Sequence, residues 1–168
     1  MRRTILLLLS GLAGLAAAAP ARDAYLAQLA GEWDLTGTTR GEAVHYRVHG
    51  HWILAGAWLA WDLKDTRRPP GYQAQVLFSA DPKAHDYVVH WLDQFGAAGA
   101  RVVGTGRLDA GTLVFSLPYA EGTFRDTLTL RADGASGTLL IEAQQADGSW
   151  STFGSYQMRR RGFPPGMH

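Results

Sequence analysis

The chain has 168 residues, of which 16 are Lys or Arg, 15 are Asp or Glu and none is Cys, and 46% are hydrophobic. This length suits one domain, and the hydrophobic content excludes intrinsic disorder. A net charge of +1 without long runs of like charge argues against nucleic-acid binding. The lack of cysteine excludes disulfides, thiolate nucleophiles and zinc–thiolate sites.

The N-terminal 21 residues have the pattern of a secretory signal peptide. Two arginines follow Met1, an Ala- and Leu-rich apolar stretch comes next, and Ala19-Pro20-Ala21 matches the small-residue pattern of a processing site. Cleavage is expected after Ala18 or Ala21. A retained membrane anchor is the alternative, but the apolar stretch is short and interrupted by glycine. We therefore predict a periplasmic or secreted protein.

Cleavage divides the chain into a signal peptide over residues 1–21, a domain over 22–161 and a flexible tail over 162–168. The cleaved chain has 14 basic residues against 15 acidic ones. Such a nearly neutral protein has no strong electrostatic attraction to a charged polymer or a membrane surface. No stable membrane insertion is therefore expected after cleavage.

A short helix over residues 22–29 is followed by strands, because the apolar residues then recur at a period of two. Clusters of Gly, Pro and Asp separate the strands at the spacing of hairpin turns. The predicted strands are 32–39, 42–50, 52–63, 72–79, 86–92, 101–108, 112–117, 123–131, 137–144 and 150–160. No long helical pattern lies between them, which excludes parallel crossovers. We predict an all-β fold, an antiparallel up-and-down β-barrel of about ten strands whose closure removes exposed edges.

The segment Trp52–Leu63 breaks the alternation because both of its faces are apolar. A bulge near Gly56 would switch the facing of the side chains along this strand. Alternatively, the outward face packs against the N-terminal helix or against a second copy of the chain, because such a patch is too apolar to leave in water. The second alternative makes a homodimer through this strand possible.

The motif Gly31-Glu32-Trp33, combined with a basic residue at the end of the last strand, resembles the calycin superfamily of lipocalins and fatty-acid-binding barrels. Arg160 is the best match to the basic residue. The resemblance implies that the Trp33 ring and the Arg160 head pack across the closed end of the barrel, where cation–π attraction and burial of the arginine stem favour the pair.

Further segments are similar to an uncharacterised bacterial family of calycin-like domains. They are Gly50 to Leu59, Gly71-Tyr72, Asp81-Pro82 with the following Tyr87, Trp91-Leu92-Asp93 and Ala146 to Trp150, and together they span nearly the whole domain. This resemblance implies a fold but no activity. Haem-binding calycins of the nitrobindin type use a histidine near the closing strands, and the present sequence departs from them because it has no histidine between His90 and His168.

Three histidines share one side of a predicted strand. At about 3.3 Å per residue, His49 and His51 are close enough to bind one metal ion, whereas His45 lies about 13 Å from His49. A two-histidine site would need Asp34 or Asp62 from a neighbouring strand. A solvated outer face explains the pattern more simply, and no metal site is predicted.

Motifs of common enzymes are missing, including the nucleophile elbow, the P-loop and the zinc-protease helix. Asp126 stands out because it lies between Phe124 and Leu128 on an otherwise apolar side of a strand. It is either a buried carboxylate paired with an arginine, which is the simpler interpretation, or a polar group that faces an internal cavity. His90 is interpreted as an ordinary histidine of a strand. An exported enzyme that uses His90 or Asp126 remains an alternative function.

A closed barrel of about ten strands is wide enough to enclose a cavity, and aromatic residues point inward. We therefore predict a non-catalytic barrel that binds a small apolar or aromatic molecule and needs no cofactor, with haem binding as a second alternative. The predicted ligand-binding residues are Tyr46, Trp58, Tyr72, Phe78, Trp91, Phe115 and Tyr156. Further inward residues by the same alternation are Val48, Val76, Val89 and Leu128.

Overall fold

The computed structural model describes residues 21–162. Nearly all of the predicted signal peptide and tail, residues 1–20 and 163–168, lies outside this range. One short helix, α1, spans Ala24–Leu29, and the ten strands that follow are β1 Gly31–Thr39, β2 Glu42–Ile53, β3 Trp58–Asp65, β4 Gln73–Asp81, β5 Asp86–Asp93, β6 Val103–Asp109, β7 Thr112–Tyr119, β8 Gly122–Leu130, β9 Ser136–Gln144 and β10 Trp150–Arg160. Short 3₁₀ turns occupy Leu54–Gly56 and Gly96–Ala98.

The strands form one closed antiparallel barrel. Each strand pairs with its neighbours in the chain, and β1 closes the ring by pairing with β10. At this seam Trp33 lies opposite Arg160, and Gly37 lies opposite Tyr156. The all-β prediction of a ten-strand up-and-down barrel with a short N-terminal helix is therefore confirmed.

The up-and-down order gives the barrel two distinct ends. One end, called the helix end here, holds α1, the start of β1 and the end of β10. The opposite end, called the open end, holds the connections that follow the odd-numbered strands β1, β3, β5, β7 and β9. Two of these connections, 66–72 and 94–102, are long enough to cover part of the barrel mouth.

Helix α1 closes the helix end by burying its apolar side chains. Asp23 caps the helix by accepting a hydrogen bond from the backbone N–H of Leu26 at 2.8 Å. Tyr25, Leu26 and Leu29 are buried in the core. Gly50 of β2 permits this close approach, because a Cβ at that position would collide with the Leu29 carbonyl. The interior of the barrel next to the helix end is thus filled by protein side chains.

The predicted strand Trp52–Leu63 is wrong in its extent. The structure divides this segment into the end of β2, the turn Leu54–Gly56 and the start of β3. Leu54 and Ala55 have positive φ angles of 49° and 57°, which reverse the chain so that Ile53 lies opposite Trp58. A turn, rather than a bulge or a covered sheet face, therefore accounts for the apolar residues on both sides. The homodimer expected through this segment stays a prediction.

None of the helices in residues 21–162 has the length and the apolar character required to cross a lipid bilayer.

Candidate functional site

A cavity of about 400 Å³ lies at the open end of the barrel. Its outer residues Arg40, Phe95 and Glu121 are exposed, so the cavity opens to solvent. Its lining is dominated by aromatic and aliphatic side chains. The lining residues are Thr39, Arg40, Tyr46, Leu63, Tyr72, Trp91, Asp93, Phe95, Gly99, Leu117, Tyr119, Glu121, Phe124, Asp126, Leu139, Ile141, Phe153 and Tyr156.

Hydrogen bonds hold two tyrosines in the cavity wall at the barrel seam. Thr39 lies 2.8 Å from the Tyr156 hydroxyl and 3.3 Å from the Tyr46 hydroxyl. The two rings meet edge to face with their centroids 5.9 Å apart. The Tyr156 ring folds back over Gly154, where a Cβ would collide with it. Burial raises the pKa of Tyr156 to about 12, so this phenol is neutral at physiological pH.

A second pair of hydrogen-bonded aromatic residues continues this wall. Trp91 donates its indole N–H to the Tyr72 hydroxyl at 2.9 Å, and Tyr72 donates weakly to Asp93 at 3.4 Å. Tyr72 also meets Tyr46 edge to face at 6.1 Å. Burial raises the pKa of Tyr72 as well. These contacts fix the rings in position before any ligand arrives.

The rim of the cavity includes three aromatic rings in edge-to-face contact. Phe124 lies 5.6 Å from Tyr119 and 5.1 Å from Phe153, measured between ring centroids. Phe153 reaches this position because a register shift between Thr152 and Gly154 inserts an extra residue in β10. The guanidinium of Arg40 lies 5.6 Å from the centroid of the Phe153 ring. The rim is therefore apolar inside and carries a cation at its outer edge.

Asp126 lies at the floor of the cavity and is only 1% exposed. Its cross-strand neighbours are Phe115 and Ile141, and neither offers a polar side chain. Among the described residues, Asp126 Oδ1 has no hydrogen-bond partner. Burial raises the pKa of this carboxyl well above its ordinary value.

This result decides between the two interpretations of Asp126. The simpler one, a buried pair with an arginine, is wrong for this residue, because among residues 21–162 no arginine contacts Asp126 and its Oδ1 has no hydrogen-bond partner. The neighbouring Arg125 points to the other face and binds Glu142 at 2.8 Å. A buried carboxylate paired with arginine does exist at the end of β3, where Asp65 binds Arg67. That contact lowers the pKa of Asp65. Asp126 is the polar group that faces the cavity.

The seven predicted ligand-binding residues are not all in one place. Tyr46, Tyr72, Trp91 and Tyr156 line the cavity. Phe78 and Phe115 point into the barrel but lie deeper, with their ring centroids 6.0 Å apart, and they belong to the solid core rather than the lining.

Trp58 is the third predicted ligand-binding residue outside the cavity lining. It was predicted to face the interior, and it does not. It lies opposite Ile53 and is half-buried on the outer face, since the preceding turn reverses the expected side. Trp61 takes the inward position instead and packs edge to face on Phe78 at 5.6 Å.

The pair named by the calycin resemblance is in contact at the helix end. The Arg160 guanidinium lies 4.4 Å from the centroid of the Trp33 ring. It also donates hydrogen bonds to the carbonyls of Gln28, Ala30 and Gly134, and so ties α1 to the last strand. The Trp33 indole donates to the Leu29 carbonyl at 3.0 Å. Burial lowers the pKa of Arg160 from its ordinary value.

The histidines of residues 21–162 lie away from the cavity. His45, His49 and His51 are on the outer face, and each lies near one carboxylate: Asp34 at 2.9 Å, Glu32 at 2.5 Å and Asp62 at 3.5 Å, respectively. No cluster of three or more potential metal ligands occurs among residues 21–162. His90 forms a 2.7 Å hydrogen bond with the Ala100 carbonyl in the loop after β5.

Several lining residues were not predicted from the sequence. Phe153 was missed because the bulge in β10 changes its side. Phe124 lies on the same side of its strand as Asp126 but was not among the predicted inward residues. Tyr119 and Phe95 lie at strand ends or in loops, where alternation says little. The cluster of aromatic residues next to predicted turns was the signal that could have identified them.

No protein-family model matches this chain, and no curated protein matches it either. The closed ten-strand antiparallel barrel is compatible with a calycin-like fold.

Proposed function

We propose that this protein is an exported barrel that binds a small, largely apolar molecule in the cavity at its open end. The observation that carries the proposal is a cavity of about 400 Å³ whose wall is built mainly from aromatic and aliphatic side chains. Small-molecule sites typically have this size and this mixture of apolar walls with a few polar groups. Burial of the ligand's apolar surface supplies the affinity.

The arrangement of the wall supports binding rather than catalysis. Tyr46, Tyr72 and Tyr156 are held by hydrogen bonds and edge-to-face contacts, so little ordering is needed when a ligand enters. His90, the histidine considered for catalysis, is bonded to a loop carbonyl and does not line the cavity. Flat and aliphatic molecules both suit these surfaces.

The binding proposal is tested with N-phenyl-1-naphthylamine, a neutral lipophilic dye whose fluorescence increases in apolar surroundings. Leu117→Trp fills the cavity from β7, and Val114→Trp on the same strand is the control because Val114 is 37% exposed on the outer face. We expect the wild type and Val114→Trp to bind the dye equally, and Leu117→Trp to bind it at least about tenfold more weakly, or about 1.4 kcal/mol. Circular dichroism checks that both variants fold.

Two results would overturn the binding proposal. One is a wild-type protein that gives no saturable fluorescence increase. The other is equal affinity in Leu117→Trp and Val114→Trp, which would place the dye outside the cavity. Export is tested separately by fractionating cells that express the full chain. We expect a periplasmic or secreted product whose N-terminus follows Ala18 or Ala21, and an uncleaved cytoplasmic product would contradict this.

A further inference from the structure

We propose that the cavity selects ligands that carry a protonated amine on an aromatic or aliphatic body, and that Asp126 is the group that anchors the amine. This inference rests on the proposed binding function and specifies its ligand class. It starts from the position of Asp126 on the cavity floor, where Oδ1 is buried and has no hydrogen-bond partner among residues 21–162.

A buried carboxyl with an unpartnered oxygen costs free energy, so its position needs a reason. Phe115 and Ile141 on the adjacent strands offer nothing that could satisfy it. The other buried carboxyl of the described chain, Asp65, has Arg67 as its partner. A ligand that brings a hydrogen-bond donor to the cavity floor would give Asp126 a partner, as Arg67 does for Asp65.

The surroundings of Asp126 favour a cationic donor over a neutral one. Ring faces and edges of Tyr46, Trp91, Phe124 and Tyr156 surround the cavity, and aromatic rings attract organic cations through their negative faces. The acidic lining residues are Asp93, Glu121 and Asp126, against the single basic residue Arg40. Arg40 lies at the outer edge over Phe153, away from the floor.

The shape of the cavity indicates how such a ligand would lie. The carboxyl is at the floor, and the aromatic rim of Tyr119, Phe124 and Phe153 is at the mouth. The amine would enter first and contact Asp126, while the apolar body would fill the space up to the rim. The volume of about 400 Å³ has room for a two-ring body.

The test compares 1-naphthylmethylamine, a cation at pH 7, with 1-naphthylmethanol, a neutral molecule of nearly the same shape. Isothermal titration calorimetry measures both against the full protein. We expect the wild type to bind the amine at least about tenfold more tightly than the alcohol. Asp126→Asn should remove this preference while leaving the affinity for the alcohol within about twofold. Asp126→Leu serves as a second variant of similar size if the amide disturbs folding.

Asp109→Asn is the matched control, because Asp109 is exposed to solvent and is not among the lining residues of the cavity. It should keep the preference for the amine, since solvent screens its charge. Equal affinities of the wild type for amine and alcohol would overturn the inference and leave the proposed binding function in place. A preference that survives in the Asp126 variants, or that disappears in Asp109→Asn, would also overturn it. Failure of both compounds to bind would overturn the binding function and the inference together.

Discussion

The two ends of the barrel are built from similar aromatic residues but use them differently. At the helix end, Trp33 and Trp61 both donate to the Leu29 carbonyl, and Arg160 bonds three further carbonyls. At the open end, tyrosines and phenylalanines surround a cavity and a carboxyl for which the described part of the chain provides no partner. The difference indicates that the helix end provides stability, whereas the open end carries features that cost stability, as a binding site of the proposed kind would require.

The largest expected effect is at the helix end. Trp33 is fully buried, and Trp33→Ala removes its core packing, its hydrogen bond to Leu29 and its contact with Arg160. We expect a loss of about 3–5 kcal/mol in the free energy of unfolding. Trp58→Ala is the control, since that tryptophan is half-buried on the outer face, and should cost about 1 kcal/mol. Guanidinium chloride unfolding followed by circular dichroism measures both, and similar losses would contradict the assigned roles.

An intermediate effect is expected from Asp126→Asn, and it depends on pH. Burial raises the pKa of Asp126 well above the ordinary value of 3.8, so the folded state holds this proton more tightly than the unfolded state. The contribution of Asp126 to stability is therefore complete below about pH 3.8 and is lost as the pH rises toward the folded pKa. Asp126→Asn should be about 2 kcal/mol more stable than the wild type at pH 8, because it removes a buried ionisable group.

At pH 4, where the carboxyl is protonated, the free energy of unfolding of Asp126→Asn should differ from that of the wild type by only about 0.5 kcal/mol. The neighbouring phenol of Tyr119 does not interfere, because burial raises its pKa to about 12. Asp65→Asn is the control, and the opposite change in stability is expected for it. Because Arg67 lowers the pKa of Asp65, this variant should be less stable than the wild type at neutral pH. Urea unfolding at both pH values tests this, and a stability difference for Asp126→Asn that does not grow with pH would refute it.

The contrast between the ends also explains what the sequence could predict. The alternation of apolar residues and the positions of turn residues were enough to predict the strands and the barrel, because a period of two decides which side chains point inward. They placed Tyr46 and Trp91 inside, but alternation does not report depth along the barrel. Phe78 and Phe115 therefore were assigned to the site although they pack in the filled half.

The remaining errors come from local changes of register. The turn at Leu54–Gly56 puts Trp58 outside and Trp61 inside, and the bulge in β10 brings Phe153 into the rim. Each change depends on a few backbone angles, such as the positive φ of Leu54 and Ala55, that these residue types do not favour by themselves. The pairing of Arg125 with Glu142 likewise depends on cross-strand register.

The smallest expected effect compares one hydroxyl at each end. The Tyr25 hydroxyl donates to the buried Leu128 carbonyl at 2.9 Å, so Tyr25→Phe should cost about 1.5 kcal/mol. Tyr156→Phe removes a hydroxyl that is bonded to Thr39. Because Thr39 is half-buried and keeps its contact with Tyr46, the expected loss in the free energy of unfolding is about 0.5 kcal/mol. Both variants keep the aromatic ring, and thermal and urea unfolding in parallel compare them directly. If Tyr156→Phe cost as much as Tyr25→Phe, the open end would be as tightly bonded as the helix end, and the division between a stabilising end and a binding end would fail.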